Sequence, residues 1–252
     1  MYAPERRQEI LRLAREAGRI DVLSLAERFQ VTAETVRRDL TSLDRAGLVR
    51  RVHGGAIPAG RLDIEPDLTE HDATRADEKD RIAAAGLAEL PEGGSIVLDA
   101  GSTVARLAAA LPVDTALTVV THALPVAARL ADHAGIDLHL VGGRVRHRTR
   151  AAVDAWALRA YAEIRADVAF LAANGFTAHG LTTPDLAEAA VKRAAMAAAR
   201  RVVLLADSSK AGREHFACFG SFADVDVLIT DQGLAPAQQA AIEAAGTEVV
   251  LV

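Results

Sequence analysis

Beyond Lys79 the chain repeats one pattern. A short run of β-branched and aliphatic residues is followed by an alanine-rich stretch with helical spacing. The apolar runs are Ile96–Leu98, Leu117–Val120, Leu138–Val141, Val168–Ala172, Val202–Ala206, Val225–Ile229 and Val249–Val252. Between them lie helix-like stretches at 103–110, 123–133, 155–164, 186–199 and 236–245. Strands this uniformly apolar must be covered on both faces, and helices that alternate with them are the usual cover. The pattern therefore predicts an α/β domain, an open and mostly parallel sheet over residues 79–252.

The polar residues of this region cluster just after the apolar runs. They are Asp99-Ala-Gly-Ser-Thr103, then Thr121 and His122, Gly142 and Gly143, Asn174-Gly175, Asp207-Ser-Ser-Lys210, and Thr230-Asp231. In open α/β sheets ligands bind beyond the carboxyl ends of the strands, so these loops fall on one edge. A Gly-Ser-Thr turn that opens a helix offers amides, hydroxyls and a favourable dipole to an anion. Lys210 adds a full positive charge. Singly, each has an ordinary reading: a plain cap, a turn, a solvated Lys192. Together they predict a cleft for a small phosphorylated molecule. His122, His139 and His147 are too scattered for a metal site, and no cofactor is expected.

The first 57 residues read differently. Pro4–Ala17 forms a helix that Gly18 ends, and Asp21 caps a second helix over Val22–Phe29. Gln30 and Val31 turn into a third helix that stops at Gly47. In that helix Val36, Leu40 and Leu43 form a buried stripe, and Thr32 supplies the capping hydroxyl. Thr35, Arg37 and Arg38 lie off the stripe, and such side chains reach base edges or phosphates. Leu48–His53 and the Gly54-Gly55 turn add a β wing, so residues 1–57 are expected to form a winged helix-turn-helix. Arg50, Arg51 and His53 would bring the wing onto phosphate or the minor groove. The plain alternative is a small helical domain with its charges in solvent.

Charge supports the first reading. The net charge is −5, yet residues 1–60 carry 11 Arg against 8 Asp or Glu. The acidic excess therefore lies in the remainder, and a basic head on an acidic body fits a localised nucleic-acid footprint. Residues 58–78, with Pro58, Gly60, Pro66 and seven acidic residues, read as a linker. Lysine is scarce: only Lys79, Lys192 and Lys210 occur. Each is of interest, because an ammonium is a compact charge that a guanidinium does not mimic. No apolar run could span a membrane, and the first residues lack the apolar core of a secretory signal. The lone Cys218, between Phe216 and Phe219, is expected to be a small buried hydrophobe in a reducing, cytoplasmic setting.

The run Leu25–Leu40, with Leu43, Gly47, Leu48 and Arg51-Val-His-Gly-Gly-Ala56, resembles the DeoR-type bacterial repressors across residues 5–57. Thr32 stands where that family usually has serine, which keeps the hydroxyl. The resemblance implies that Thr32, Thr35, Arg37 and Arg38, with the wing arginines, contact double-stranded operator DNA. Residues 79–231 resemble the sugar-phosphate-sensing domain of the same repressors, which is similar in turn to ribose-5-phosphate isomerase. This carries over Asp99, Gly101, Ser102, Thr103, Thr121, Gly142, Gly143, Gly175, Glu188, Lys192 and Lys210 as the effector pocket. His122 stands where asparagine is frequent, and Val153-Asp154 where Val-Gly is usual.

The isomerase likeness raises the question of turnover. Aldose–ketose isomerisation needs a carboxylate base. Leu171 and Asn174 fall where the isomerases place acidic residues, and Val191 where they place the base. None of these can take a proton. Glu188, one helical turn before Lys192, is a single carboxylate. The expectation is a homodimeric or homotetrameric repressor whose hold on its operator is relieved by a phosphorylated sugar. The alternatives are an isomerase-like enzyme with an added DNA-binding head, or a scaffold whose head binds protein.

Overall fold

The computed structural model describes residues 2–17, 20–45, 48–52, 54–58 and 72–252. The chain divides into two compact units, Met1–Glu65 and Pro66–Val252. Residues 59–71 of the expected linker, with Gly18, Gly47 and His53, lie outside the described residues, as do the side chains of Arg50 and Arg51.

The first unit runs α1 (Ala3–Ala17), β1 (Ile20–Asp21), α2 (Val22–Phe29), α3 (Ala33–Arg45), β2 (Val49–Val52) and β3 (Gly55–Pro58). Ile10, Ala14, Leu25, Val36, Leu40 and Leu43 are buried together, the stripe that helical spacing predicts. Asp21 caps α2, accepting from the amides of Leu23 and Ser24 at 2.9 and 3.1 Å. Gln30 takes the left-handed conformation, φ 53°, and turns the chain into α3. The Thr32 hydroxyl accepts from the Thr35 amide at 3.2 Å, as an N-cap should. An internal ion pair locks α1 to α3. Asp39 accepts from Arg6 Nε at 2.6 Å and Arg7 Nε at 3.2 Å, and Arg6 and Asp39 are both buried. The β2–β3 hairpin is the expected wing, and β1 joins it as a third strand. That strand is two residues long and leaves no periodicity to read.

The second unit opens with α4 (Ala76–Gly86), β4 (Ser95–Leu98), α5 (Ser102–Ala110), β5 (Leu117–Thr121), α6 (Leu124–Leu130) and β6 (Ile136–Leu140). A hairpin of β7 (Arg144–Arg146) and β8 (Ala151–Val153) follows, then α7 (Ala155–Ala162) and β9 (Ala166–Leu171). The remainder is β10 (Gly175–Thr177), β11 (Gly180–Thr183), α8 (Leu186–Ala197), β12 (Ala199–Leu205), β13 (Ala217–Gly220), β14 (Val227–Thr230), α9 (Pro236–Ala244) and β15 (Glu248–Leu251).

The seven apolar runs are the seven strands of one parallel sheet, ordered β15-β14-β12-β9-β4-β5-β6. Alternate residues enter two apolar clusters: Ile96, Leu98, Val168 and Phe170 in one, Val97, Ala169 and Leu171 in the other. From the centre the chain winds outward in both directions, through β5 and β6 on one side and β12, β14 and β15 on the other. The switch point therefore lies between β4 and β9. The antiparallel pieces, β7–β8 and the sheet β10-β11-β13, were not part of the sequence expectation. Their strands are three or four residues long and interrupted by charge and glycine.

One local expectation meets a different structure. Cys218 is exposed, not buried. On β13 successive side chains alternate, so Ala217 and Phe219 point inward and Cys218 faces out. Asp154, which stands in place of a glycine, keeps a glycine conformation at φ 77° and ψ −167°. A side chain is strained there, by about 1–3 kcal/mol. Arg144 Nε donates to the Asp154 carboxylate at 2.6 Å, but both side chains are exposed and such a pair contributes about 0–1 kcal/mol. Asp154→Gly is therefore expected to stabilise the chain by about 1 kcal/mol after the extra backbone entropy of glycine. A urea midpoint that rises at constant slope is the expected result. A fall would mean that the Arg144 pair outweighs the strain.

Candidate functional site

At the switch point the loops after β4, β9 and β12 converge with the start of α5 and one face of α8 on a cleft. Gly101, Ser102, Thr103, His122, Glu188, Lys192 and Lys210 line it, as the sequence placed them. Lys79, Thr149, Asn174 and Asp207 line it as well. All three lysines of the chain thus open on one cleft. Asp99, Thr121, Gly142, Gly143 and Gly175 are not in its wall.

Those five residues take other places in the fold. Asp99 is fully buried; it ion-pairs with Lys192 Nζ and accepts from the Ala172 amide at 2.9 Å. The Thr121 hydroxyl donates to the Leu98 carbonyl at 2.7 Å and accepts from the Ala123 amide, tying β5 to β4. Gly142 and Gly143 lie between β6 and β7. Gly175 lets the 213 loop approach: a Cβ there would lie 2.4 Å from the Arg213 carbonyl oxygen.

The floor is set by the buried ion pair. Lys192 Nζ also donates to the Ala172 carbonyl at 2.8 Å and sits 5.4 Å from the centre of the Phe219 ring. Lys192 is therefore spent on protein acceptors. Lys79 and Lys210 are held differently. Burial lowers both ammonium groups from their ordinary range, and the nearby Asp207 carboxylate opposes the shift in each. They are two desolvated cations around one carboxylate. Beside them α5 begins at Gly101 with no side chain capping it. A Cβ at residue 101 would lie 2.7 Å from the Ala172 Cβ, so glycine is what lets this turn close. An uncapped helix start flanked by two hydroxyls and two ammonium groups is suited to an anion.

The opposite wall is rich in acceptors. Glu188 on α8 accepts from Thr149 Oγ1, from an Arg146 guanidinium nitrogen at 3.2 Å and from Thr183 Oγ1 at 3.3 Å. Thr183 Oγ1 lies 3.0 Å from Asn174 Oδ1. His122 shares a 2.8 Å hydrogen bond between Nδ1 and the Tyr161 hydroxyl, with Nε2 3.5 Å from Asp99. Burial pushes this imidazole down to about 4, with Asp99 opposing and Lys192 assisting. It is neutral at physiological pH. Among the described residues no group of three or more His, Cys, Asp or Glu could hold a metal ion, and no helix is long and apolar enough to cross a membrane.

In the first unit, α3 presents Thr32, Arg37 and Arg38 to solvent, with Thr35 half-buried. Glu34 lies 3.5 Å from Arg37 and 3.7 Å from Arg38, both forks more than half exposed. Pairs this exposed and loose contribute about 0–1 kcal/mol, so either fork is easily drawn to another anion.

Two family descriptions match this chain: a DeoR-like helix-turn-helix domain over residues 6–59 and a DeoR C terminal sensor domain over residues 74–232. The chain belongs to the DeoR family. It is a regulator of transcription with a DNA-binding helix-turn-helix head. It is 34% identical over 251 residues to the HTH-type transcriptional regulator GlpR of Haloferax volcanii, covering 99% of this chain and 98% of that one. It is 32% identical to the glycerol-3-phosphate regulon repressor of Escherichia coli, over 92% of each. Among solved structures, ribose 5-phosphate isomerase A from Methanocaldococcus jannaschii matches 56% of each chain at 17% identity and a TM-score of 0.42. That likeness is too partial to assign chemistry.

For this DeoR-family sensor unit, His122 predicts a pH dependence. Unfolded imidazole takes up its proton near 6.5, the folded one only near 4. Between those values the unfolded state binds more protons, so stability rises with pH and is lost as pH falls from 6.5 towards 4. The loss from this group is at most about 3 kcal/mol. His122→Asn should flatten that part of the melting-temperature profile relative to wild type. Parallel profiles would mean that His122 gains its proton without cost.

Proposed function

We propose that this chain is a repressor that holds an operator through α3 and the wing, and that a phosphorylated sugar or polyol bound in the cleft relieves the hold. The observation that carries the effector half is the convergence of all three lysines on one cleft, beside an uncapped helix start at the switch point. In this reading Lys79, Lys210, Ser102 and Thr103 take the phosphate. Lys192 positions the floor through Asp99. Thr149, Asn174, Glu188 and His122 face the hydroxyl groups. A relative named for the glycerol-3-phosphate regulon favours a ligand of this chemical class.

Turnover is disfavoured by the residues that stand at the expected acid and base positions. Leu171 and Val191 are buried apolar residues, and Asn174 has no proton affinity to offer a carbon acid. Glu188 already accepts from three side chains, which suits it to orient a hydroxyl more than to abstract a proton. Binding without chemistry is what a sensor needs.

On the DNA side Thr32, Thr35, Arg37 and Arg38 make the operator contacts, with Arg50, Arg51 and His53 on the wing. One winged helix covers a single half-site, so a homodimer or homotetramer is the working form. Reciprocity then requires that operator weaken effector binding by the factor with which effector weakens operator binding.

The test is a thermal-shift screen of the full chain. The panel is fructose 1-phosphate, tagatose 6-phosphate, 2-deoxyribose 5-phosphate and sn-glycerol 3-phosphate, each beside its unphosphorylated parent. One phosphate should raise the melting temperature and its parent should not, and Lys79→Ala should abolish the rise while duplex binding persists. No shift across the panel, or an unchanged shift in Lys79→Ala, would overturn the assignment. For the head, Arg37→Ala or Arg38→Ala should cost about 1–3 kcal/mol of duplex affinity where the side chain reads a base. Where it meets phosphate instead, the slope of affinity against salt should flatten by about one counterion. A variant that changed neither would place its arginine outside the interface.

A further inference from the structure

The first turn of α4 faces two ways. Lys79 lines the cleft. Arg75, whose carbonyl accepts from the Lys79 amide at 3.2 Å, sends its side chain elsewhere. Its backbone is left-handed, φ 55° and ψ 47°, an unusual conformation for a long side chain. There its guanidinium NH2 donates to Asp231 at 2.8 Å and lies 3.2 Å from Glu78. Its Nε stands 3.5 Å from Asp207, is buried, and makes no hydrogen bond. Asp207 is buried and lines the cleft with Lys79 and Lys210, and its charge favours both ammonium groups. One carboxylate is thus shared between two cleft ammonium groups and the arginine outside the cleft wall.

A second clasp holds the same turn. Arg106, one turn into α5 beyond the cleft residues Ser102 and Thr103, donates to the Asp72 carboxylate at 2.9 and 3.1 Å and to its carbonyl at 3.2 Å. It also donates to Asp80 at 2.5 Å. Residues 72–80 are therefore tied at both sides to the loops that build the cleft. In chain order they are also the first described residues of the sensor unit, so every covalent path from the head passes through them.

We propose that Arg75 is the positioning residue that transmits occupancy of the cleft to the head, through its shared hold on Asp207 and its fixed hold on Asp231. The proposal rests on the reading of the cleft as a phosphate site. A phosphate dianion at Lys79 and Lys210 supplies the counter-charge that they otherwise draw from Asp207. The Asp207 carboxylate is then free to close the 3.5 Å gap to Arg75 Nε. Lys79, drawn to the phosphate, moves the turn that it shares with Arg75. Ligand thus tightens the Arg75 clasp and resets residues 72–80, and the head responds to that arrangement.

The experiment uses the full chain and a duplex that the wild type selects from a random pool. Duplex affinity is measured with and without each sugar phosphate of the panel above, and probe affinity is measured by calorimetry. In wild type, the probe that binds should weaken duplex affinity by about 5–150-fold. Arg75→Gln should bind that probe and, without it, the duplex to within about threefold of wild type, as expected of a residue outside both sites. Its probe response should fall below about twofold, against the wild-type coupling range. Hydrogen exchange at the amides of residues 75–79 should slow on probe binding in wild type and not in the variant.

A full probe response in Arg75→Gln overturns the proposal while leaving the cleft assignment intact. A wild type that binds a probe without weakening its duplex also overturns it alone. A wild type that binds no probe overturns the cleft reading and this proposal together. Should Arg75→Gln melt below the assay temperature, Arg75→Lys keeps the charge but loses the fork, and the same loss of response is expected of it.

Discussion

The cleft depends on one buried charge pair. Lys192 and Asp99 meet at the point where the sheet reverses its winding, with the carboxylate fully buried and the ammonium nearly so. Taking two such ions out of water costs several kcal/mol each, and their attraction offsets this only when the remaining donors and acceptors are used. Here most of them are. The carboxylate also takes the Ala172 amide, and the ammonium also takes the Ala172 carbonyl. The pair therefore fixes the loop after β9 from both ends of one residue and joins it to β4 and α8. Close packing of Gly101 against Ala172 then follows, and with it the position of the helix start that opens on the cleft. Removal of either partner would strand a buried charge, at about 3–5 kcal/mol, and release the loop that both hold.

Much of this fold is legible in the sequence because its central strands are buried on both faces. Such strands read as short runs rich in Val, Leu and Ile, and each of the seven runs corresponds to a strand. The helices between them carried enough alanine to be read as helices, with ends displaced by a few residues. The cleft was legible only as an edge. Asp99 and Thr121 read as ligand contacts because a polar residue after a strand looks the same whether it faces a ligand or the backbone behind it. Only the fold shows that Thr121 bonds to the Leu98 carbonyl. Lys79 was missed for the opposite reason. It sits on the helix before the first strand, where position in the winding gives no hint of the strand ends. Its one signal was scarcity, as one of three lysines. Thr149 lies beside strands too short to have a period.

The two halves use charge in opposite ways. On α3 the forks of Arg37 and Arg38 are exposed and loosely shared with Glu34. A surface that must slide along and release a polyanion needs cations that are available at little cost. In the cleft Lys79 is buried and Lys210 half-buried, so part of their hydration has already been given up during folding. In the proposed reading a small dianion does not have to strip that water again, and it meets two ammonium groups whose carboxylate neighbour Asp207 also faces Arg75.

That difference also accounts for where lysine stands in a chain that otherwise uses arginine, 26 of its 29 basic residues excluding histidine. At position 192 the protein offers two acceptors, the Asp99 carboxylate and the Ala172 carbonyl, with an aromatic ring nearby. An ammonium with three donors is nearly satisfied there. A guanidinium would bring five donors in a rigid plane, leaving most of them buried without partners. At positions 79 and 210 the ligand in this reading is a tetrahedral phosphate approached from two sides around Asp207. Compact charges on flexible stems can follow its oxygens from either side, whereas two planar forks would compete for the same space. Arginine stands instead at position 75, where two carboxylates on neighbouring loops give a fork distinct acceptors to bridge.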